Sequence, residues 1–534
     1  MPQFEQRQGS ALVSARILHV PLRFPLNTLA ARTGIVASAT LLSRILGFAR
    51  DMCMAWLLGG GPLADALTLA LRLPNLARRL LGEGTLSMSL TAGFSRNPAL
   101  TDGMPDAAGQ ERLSRLATAL GVRLALVLGC AVLLGEALAQ PLTALLAPGL
   151  PPELAARGAF LLRLCLPYIF FAGLSALFMA LLHSLRSFLL PSLSPAFFNL
   201  TVIVFAGLAA LGLADPALLL ALGVLCGGLA QCLSQGLVLR GRGVRLCLSS
   251  GRPDEETQRE VSRSLRRLPL GIIAAAAPQL SMLGAAALAS WLPAGSMAAL
   301  YYAERILEFP LGLAGAAPGI ASLPGLAALA AARRTSDMAR EAGDALRLSF
   351  CISLPAAAGL LATAEPLVRL LFLRGAFDSQ TLADTTLALC AYAPGLPAYA
   401  ASRPLLALCN ACDMTRPAGT SALISVPCAF FAGLLLLPYG IAGPALGLSL
   451  GLWTQAAVLW FGLRRNGVEV RIPPAALARY TAGACLVFAV ARLGLFLLPG
   501  TALSLMLAVP SAIAAYALFL AVLGDRDVRR LVKR

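Results

Sequence analysis

The sequence predicts an all-α, polytopic membrane protein of about 14 transmembrane helices. Three observations predict it. The 534-residue chain is 58% hydrophobic and only 13% charged, with mean hydropathy +0.77, whereas a soluble protein carries about 25% charged residues. Apolar windows of roughly 20 residues recur from end to end, each long enough to cross about 30 Å of hydrocarbon. These runs are too long and unbroken for the short alternating strands of a β-barrel.

Residues 1–32 carry Arg7, Arg16, Arg23 and Arg32 and no clean apolar region or cleavage site, so they read as a cytoplasmic leader. Hydropathy and Gly/Pro breakers then place spans at 33–58, 62–82, 115–138, 158–183, 190–213, 216–239, 267–291, 295–327, 342–363, 384–409, 417–437, 442–463, 475–498 and 501–523. The longest arginine-rich loop divides the chain near its middle. The expected organisation is a six-helix lobe at 33–240, a cytoplasmic linker at 241–266 and a second six-helix lobe at 267–465. Two extra helices and a cytoplasmic tail follow at 466–534.

Arginine in alternate loops supports the count. With a cytoplasmic N-terminus, the inner loops hold Arg96, Arg112 and Arg115, then Arg186, then a dense run from Arg240 to Arg267, then Arg333, Arg334 and Arg340, Arg416, and Arg464, Arg465 and Arg471. The opposite loops are short and neutral, except 364–383 with Arg369 and Arg374. This is the positive-inside pattern, with both termini cytoplasmic. A weak internal echo supports two lobes. LLHSLRSFLLPSL joins the fourth and fifth spans, and LALCNACDMTRPAG joins the tenth and eleventh.

The net charge of +17 is therefore topological, not a nucleic-acid footprint; aromatic residues are only 6% and form no basic-aromatic stripe. The 12 cysteines are scattered through apolar runs, where Cys behaves as a small hydrophobe. The CNAC at Cys409 and Cys412 has no second pair or His beside it. No cofactor or metal is expected. GGG at 59–61 reads as a tight turn, because no GK[ST] follows.

The most informative residues are arginines inside spans. Arg44 and Arg50 lie in SRILGFARD, Arg305 lies in YYAERILEFP, and Arg78 with Arg79 closes the second span. Each costs roughly 2.5–3.5 kcal/mol at the bilayer centre, so five facing lipid would cost on the order of 12–18 kcal/mol. They are expected to share a wet cavity, and guanidinium forks suit phosphate. Asp65, Arg72 and Arg79 recur every seven residues on one helical stripe interrupted by Pro74. Arg44 and Asp51 are also seven apart, while Arg305 can pair with Glu308 at i+3 and Glu304 shares a face with Glu308. The competing structural reading has Arg78 and Arg79 snorkelling at the membrane surface and Arg50 with Asp51 forming a static clamp.

At these residues the chain resembles the MurJ/MviN family of lipid II flippases. The resemblance rests on SRILGFARD (43–51), ADALTLALRLPNLARRLLGEGTLS (64–87), LPYIFFAGLSALFMALL (166–182), YYAERILEFPLG (301–312) and LFLRGAF (371–377). It runs from about residue 33 to the C-terminus. It implies two six-helix lobes in a V, with two further helices forming a groove for a polyprenyl tail. It also implies passage of undecaprenyl-pyrophosphate-linked disaccharide-pentapeptide from the inner to the outer leaflet of the bacterial inner membrane. The family's cavity charges carry over as Arg44, Arg50, Asp65, Arg78, Arg79 and Arg305, with Glu304 where many members have Asp. Asp51, Glu83 and Glu308 are expected as gating or ion-pair residues. The sodium site of some members has no acid here in the seventh, eleventh or twelfth span. Expected partners are lipid II, membrane lipids and cell-wall synthesis proteins, with the chain a monomer. The alternatives are another polyprenyl-linked oligosaccharide flippase or a multidrug exporter of the same superfamily. An enzyme on the same lipid would need a nucleophilic or metal constellation, and the two histidines, His19 and His183, are paired with nothing.

Overall fold

A computed structural model of the chain describes residues 29–81, 107–244, 268–311, 335–412, 414–498 and 502–524, with Leu90, Phe94 and Leu329. Most of the leader, most of the inter-lobe linker and Glu83 lie outside these residues. Every described element is helical, as apolar chain in lipid requires, because a helix satisfies its own backbone groups. The helices are α1 Leu29–Leu58, α2 Pro62–Leu81, α3 Ala107–Ala137, α4 Ala139–Leu146, α5 Pro152–Cys165, α6 Tyr168–Ser184, α7 Leu189–Ala210 and α8 Pro216–Gly241. Then follow α9 Leu268–Ala289, α10 Ser296–Leu311, α11 Thr335–Phe372, α12 Ser379–Tyr392, α13 Leu396–Ala411, α14 Thr415–Leu435, α15 Ala442–Arg465, α16 Pro474–Leu497 and α17 Ala502–Val522.

Each predicted span contains a described helix. Among the described residues, 9 helical stretches are long and apolar enough to cross a membrane. Three differences have local causes. The fourth span is split between α5 and α6 at Pro167, which has no N–H to continue the ladder. The tenth is split between α12 and α13 by a 3-10 turn, Ala393–Gly395, around Pro394. The ninth was expected at 342–363, but α11 runs on to Phe372 through Pro366, because Val368 and Phe372 repeat four residues apart on a fully buried face.

In the first half, α7 packs on α1 and α8, α6 on α3 and α8, and α2 on α5. In the second, α14 packs on α9 and α15, α13 on α11 and α15, and α12 on α10 and α11. The last two helices pack on each other and on α11. The halves meet where α10 lies against α1 and α2, and one apolar cluster runs through both, from Leu67 and Leu161 to Tyr302 and Phe372. The sequence echo has a structural counterpart. Ser187 N–H donates to Leu182 O at 2.8 Å and Met414 N–H to Cys409 O at 2.8 Å, so α6 and α13 end in the same i→i−5 bond.

At the end where α1 hands over to α2, the halves interlock through backbone. Ala376 N–H donates to Trp56 O at 2.9 Å, and Tyr302 OH donates to Gly59 O at 3.0 Å. The GGG turn is part of this seam. Gly59 has φ +56°, and a Cβ there would lie 2.0 Å from Ala376 O. Gly295 has φ +95°, and its Cβ would lie 1.8 Å from Gly60 O. Both positions need glycine twice over, for the left-handed backbone and for the approach. Beside them Asp378 caps α12, accepting from Thr381 N at 2.8 Å and Thr381 Oγ1 at 2.6 Å; these bonds hold its carboxyl below the ordinary value.

Gly295→Ala should therefore lower the thermal unfolding temperature of the purified protein well beyond the effect of Gly467→Ala. Gly467 is equally left-handed (φ +79°) but meets nothing within 4 Å, so only backbone strain of roughly 1–2 kcal/mol applies there. Equal losses at the two glycines would show that the interlock adds nothing.

Candidate functional site

The charged residues collect where α2 and α10 face each other. On α2 the stripe of Asp65, Arg72 and Arg79 points at α10 along its whole length, and each member finds a different partner. Asp65 Oδ2 accepts from Gly295 N at 2.6 Å and its Oδ1 from Ala298 N at 2.8 Å. It thus caps the first turn of α10, where unpaired amide groups favour an anion. Arg72 Nη1 reaches both Glu304 oxygens, at 3.1 and 2.8 Å. Arg79 pairs with Glu308. Glu308 also takes Arg305 Nη1 at 2.9 Å, the i,i+3 pair that the spacing suggested.

A second strand of the network comes from α1. Arg50 binds Asp51 Oδ1 through Nε at 3.0 Å and Nη2 at 2.7 Å, and donates to Asn199 Oδ1 on α7 at 3.1 Å. Asn199 in turn donates to Ser43 O at 3.1 Å. Tyr301 OH of α10 donates to the same Asp51 oxygen at 3.1 Å, and the Arg305 guanidinium lies over the Tyr301 ring at 4.9 Å. Arg50 and Arg305 are therefore joined through Asp51 and Tyr301, across the boundary between halves. Arg78 is half-buried and within electrostatic range of Arg50. Tyr392 of α12 donates to Glu304 Oε1 at 3.4 Å.

Arg72, Asn75, Arg79, Tyr301, Glu304 and Arg305 line one cleft between α2, α9 and α10. It measures about 20 Å³, room for little more than one water, which needs roughly 10–15 Å³ by that measure. Arg72 and Arg79 are neutralised by acids on the facing helix. Arg72 Nε, Arg72 Nη2 and Arg305 Nε are buried and have no hydrogen-bond partner. Such unmet donors on a charged group are costly.

The predicted residues divide as follows. Arg50, Asp51, Arg79, Arg305 and Glu308 are linked by contacts, and Glu304, paired with Arg72, lines the same cleft as Arg79 and Arg305. Asp65 is buried away from the arginines at the head of α10. Arg44 is exposed on α1, and among the described residues no ion pair joins it to the group. Glu83 lies outside the described residues. Sequence reasoning placed Arg72 on the stripe but not in the site, although Arg72 with Glu304 forms the most buried pair, with side chains 8% and 1% exposed. The heptad spacing from Asp65 to Arg79 was the available signal. Tyr301, Tyr392 and Asn199 carried none.

The family model for lipid II flippase MurJ matches residues 54–519. The chain is 32% identical over 415 residues to a probable lipid II flippase MurJ of Bdellovibrio bacteriovorus, covering 77% of each chain. It is 29% identical over 449 residues to a probable lipid II flippase MurJ of Vibrio cholerae, covering 82% of this chain and 83% of the relative. Among solved structures it is similar to a lipid II flippase MurJ in an inward closed conformation. The TM-score is 0.75 at 21% identity, over 93% of this chain and 99% of that one. An inward-facing multidrug-resistance transporter of the MATE family, in the MOP superfamily, gives 0.65 at 15% identity, over 81% and 98%. At these identities the structures show a shared fold alone.

Removing one partner of the buried pair leaves an uncompensated charge. Arg72→Ala should destabilise the protein by roughly 3–5 kcal/mol, whereas Arg72→Met combined with Glu304→Leu should recover most of the loss. Denaturant or thermal unfolding of the two variants measures this, and an equal loss in both would deny the pair its role.

Proposed function

We propose, from the premise that this chain belongs to the lipid II flippase MurJ family, that it moves lipid II from the inner to the outer leaflet of the inner membrane by alternating access. The protein is a multi-pass membrane transporter rather than an enzyme, and serves peptidoglycan synthesis. The observation that carries the mechanistic reading is the set of unmet donors on Arg72 and Arg305, buried in a cleft between halves.

Those donors suit phosphate oxygens. A diphosphate entering between α2 and α10 exchanges with Glu308 for Arg79 and Arg305, and both sides of the exchange are charge-assisted hydrogen bonds. Separation of α2 from α10 opens the cleft to headgroup size. Arg44, Arg50 and Arg78 extend the cationic path along α1 and α2, with Asp51 and Glu83 as ion-pair residues. Asp65 holds the head of α10 against the first half during the cycle. The polyprenyl tail stays in lipid beside α16 and α17, in keeping with the division into two six-helix lobes, a linker and two extra helices. Both termini are cytoplasmic on this reading, and the unit is a monomer.

A cation exporter would show buried acids without compensating arginine, and the network has the reverse balance. A flippase for another polyprenyl diphosphate oligosaccharide shares this chemistry and differs in the sugar.

Arg305→Ala and Arg44→Ala should each fail to sustain growth of a flippase-depleted strain while protein level stays normal. Normal growth with either variant refutes its role in transport. Purified protein should bind lipid II and not a neutral polyprenyl alcohol, and Arg305→Ala should weaken that binding about tenfold or more, as befits a charged hydrogen bond.

A further inference from the structure

Arg492 lies outside both the central network and the cytoplasmic loops. Arg492 sits on α16, in VFAVARLGLFL, five residues before the helix ends at Leu497. At 1.5 Å per residue it lies about 7.5 Å inside that end. The side chain is exposed, and so are Phe488, Leu493 and Phe496 around it. Its guanidinium rests 5.9 Å from the Phe488 ring centre. Helix α16 packs on α11 and on α17. Among the described residues no carboxylate pairs with Arg492. The nearby end of α11 offers a contrast, because Arg369 there binds Glu365 at 2.8 Å.

A guanidinium in an apolar face at this depth needs an anion, or a route to the headgroups. The described residues supply no acid to it. The ring of Phe488 holds the charge in place, and the flanking apolar side chains offer a surface for hydrocarbon. The loop charges assign this end of α16 to the outer leaflet. We propose that Arg492 binds the phosphate of a lipid in the outer leaflet, whose chain lies against Phe488 and Leu493 on the exposed face of α16. The inference rests on the membrane placement of α16 and not on the cargo of the central site.

Native mass spectrometry of the full-length protein tests it, with three added lipids: an anionic glycerophospholipid, a polyprenyl diphosphate without sugar, and diacylglycerol. The wild type should retain a phosphate-bearing lipid that Arg492→Gln retains about tenfold less, while Arg492→Lys keeps part of it. Loss confined to the phospholipid identifies a membrane-lipid site, and loss confined to the polyprenyl diphosphate identifies a port for a cargo-like headgroup. Either outcome supports the proposal. Equal retention of both phosphate lipids by wild type and Arg492→Gln overturns it. Diacylglycerol should not distinguish the variants. Arg305→Ala, with Arg492 intact, should keep the phospholipid, so failure of the flippase reading stays separate. An unchanged unfolding temperature for Arg492→Gln excludes misfolding as the cause.

Discussion

The pairing of acids on α10 with arginines on α2 is the constraint on which the remaining structure depends. Unneutralised, several guanidiniums at bilayer depth would tear the interface between halves apart. Glu304 and Glu308 make that interface possible, and they do so from the opposite half of the chain. The desolvation cost of such a pair is repaid only with good geometry and further hydrogen bonds. Arg72 and Glu304 have the geometry, in a two-oxygen contact, but Arg72 keeps two nitrogens without partners. The interface is therefore stable enough to form and incomplete enough to be exchanged.

The two ends of the interface are closed by different physics. At the Gly59 end, contact is backbone on backbone. Asp65 binds amides, Ala376 binds the Trp56 carbonyl, and Tyr302, Phe372 and Phe377 stack behind them at 5.4–5.7 Å. Toward the Arg79 end, contact is side chain on side chain between charges. Backbone interlocks through glycine depend on shape and respond little to an anion. Charge pairs respond directly, because a new acceptor competes for the same donors. On the proposed reading, the end that faces the incoming headgroup is the one a headgroup can loosen.

Much of this was legible in the sequence, because lipid makes apolar length a direct record of span position. The spans and the alternation of arginine followed from hydropathy. The i,i+3 contact of Arg305 with Glu308 followed from helical period. What was illegible depended on tertiary approach. Periodicity set Arg44 beside Asp51, but Arg50 took that carboxylate through its own neighbouring side chain, with Asn199 holding the other face. Asp65 read as one of the cavity charges, yet its partners are backbone amides of a helix 230 residues away, and amides leave no trace in residue type. Helix α11 outran its predicted end, since proline in an apolar helix is tolerated when its far face is buried.

The unmet donors of the network argue for the kind of ligand it would accept. Among the described residues, Arg50, Arg72, Arg79 and Arg305 pair with Asp51, Glu304 and Glu308. Asp65 stands apart, since both its oxygens are committed to the head of α10. Arg72 and Arg305 keep buried nitrogens without partners. A cation gains nothing from such donors. On the proposed reading, a diphosphate brings enough oxygens for them, so it fits the hydrogen-bond deficit. The sugar and peptide beyond it must then be read by other surfaces, because nothing in a cluster of guanidiniums distinguishes one polyprenyl diphosphate from another.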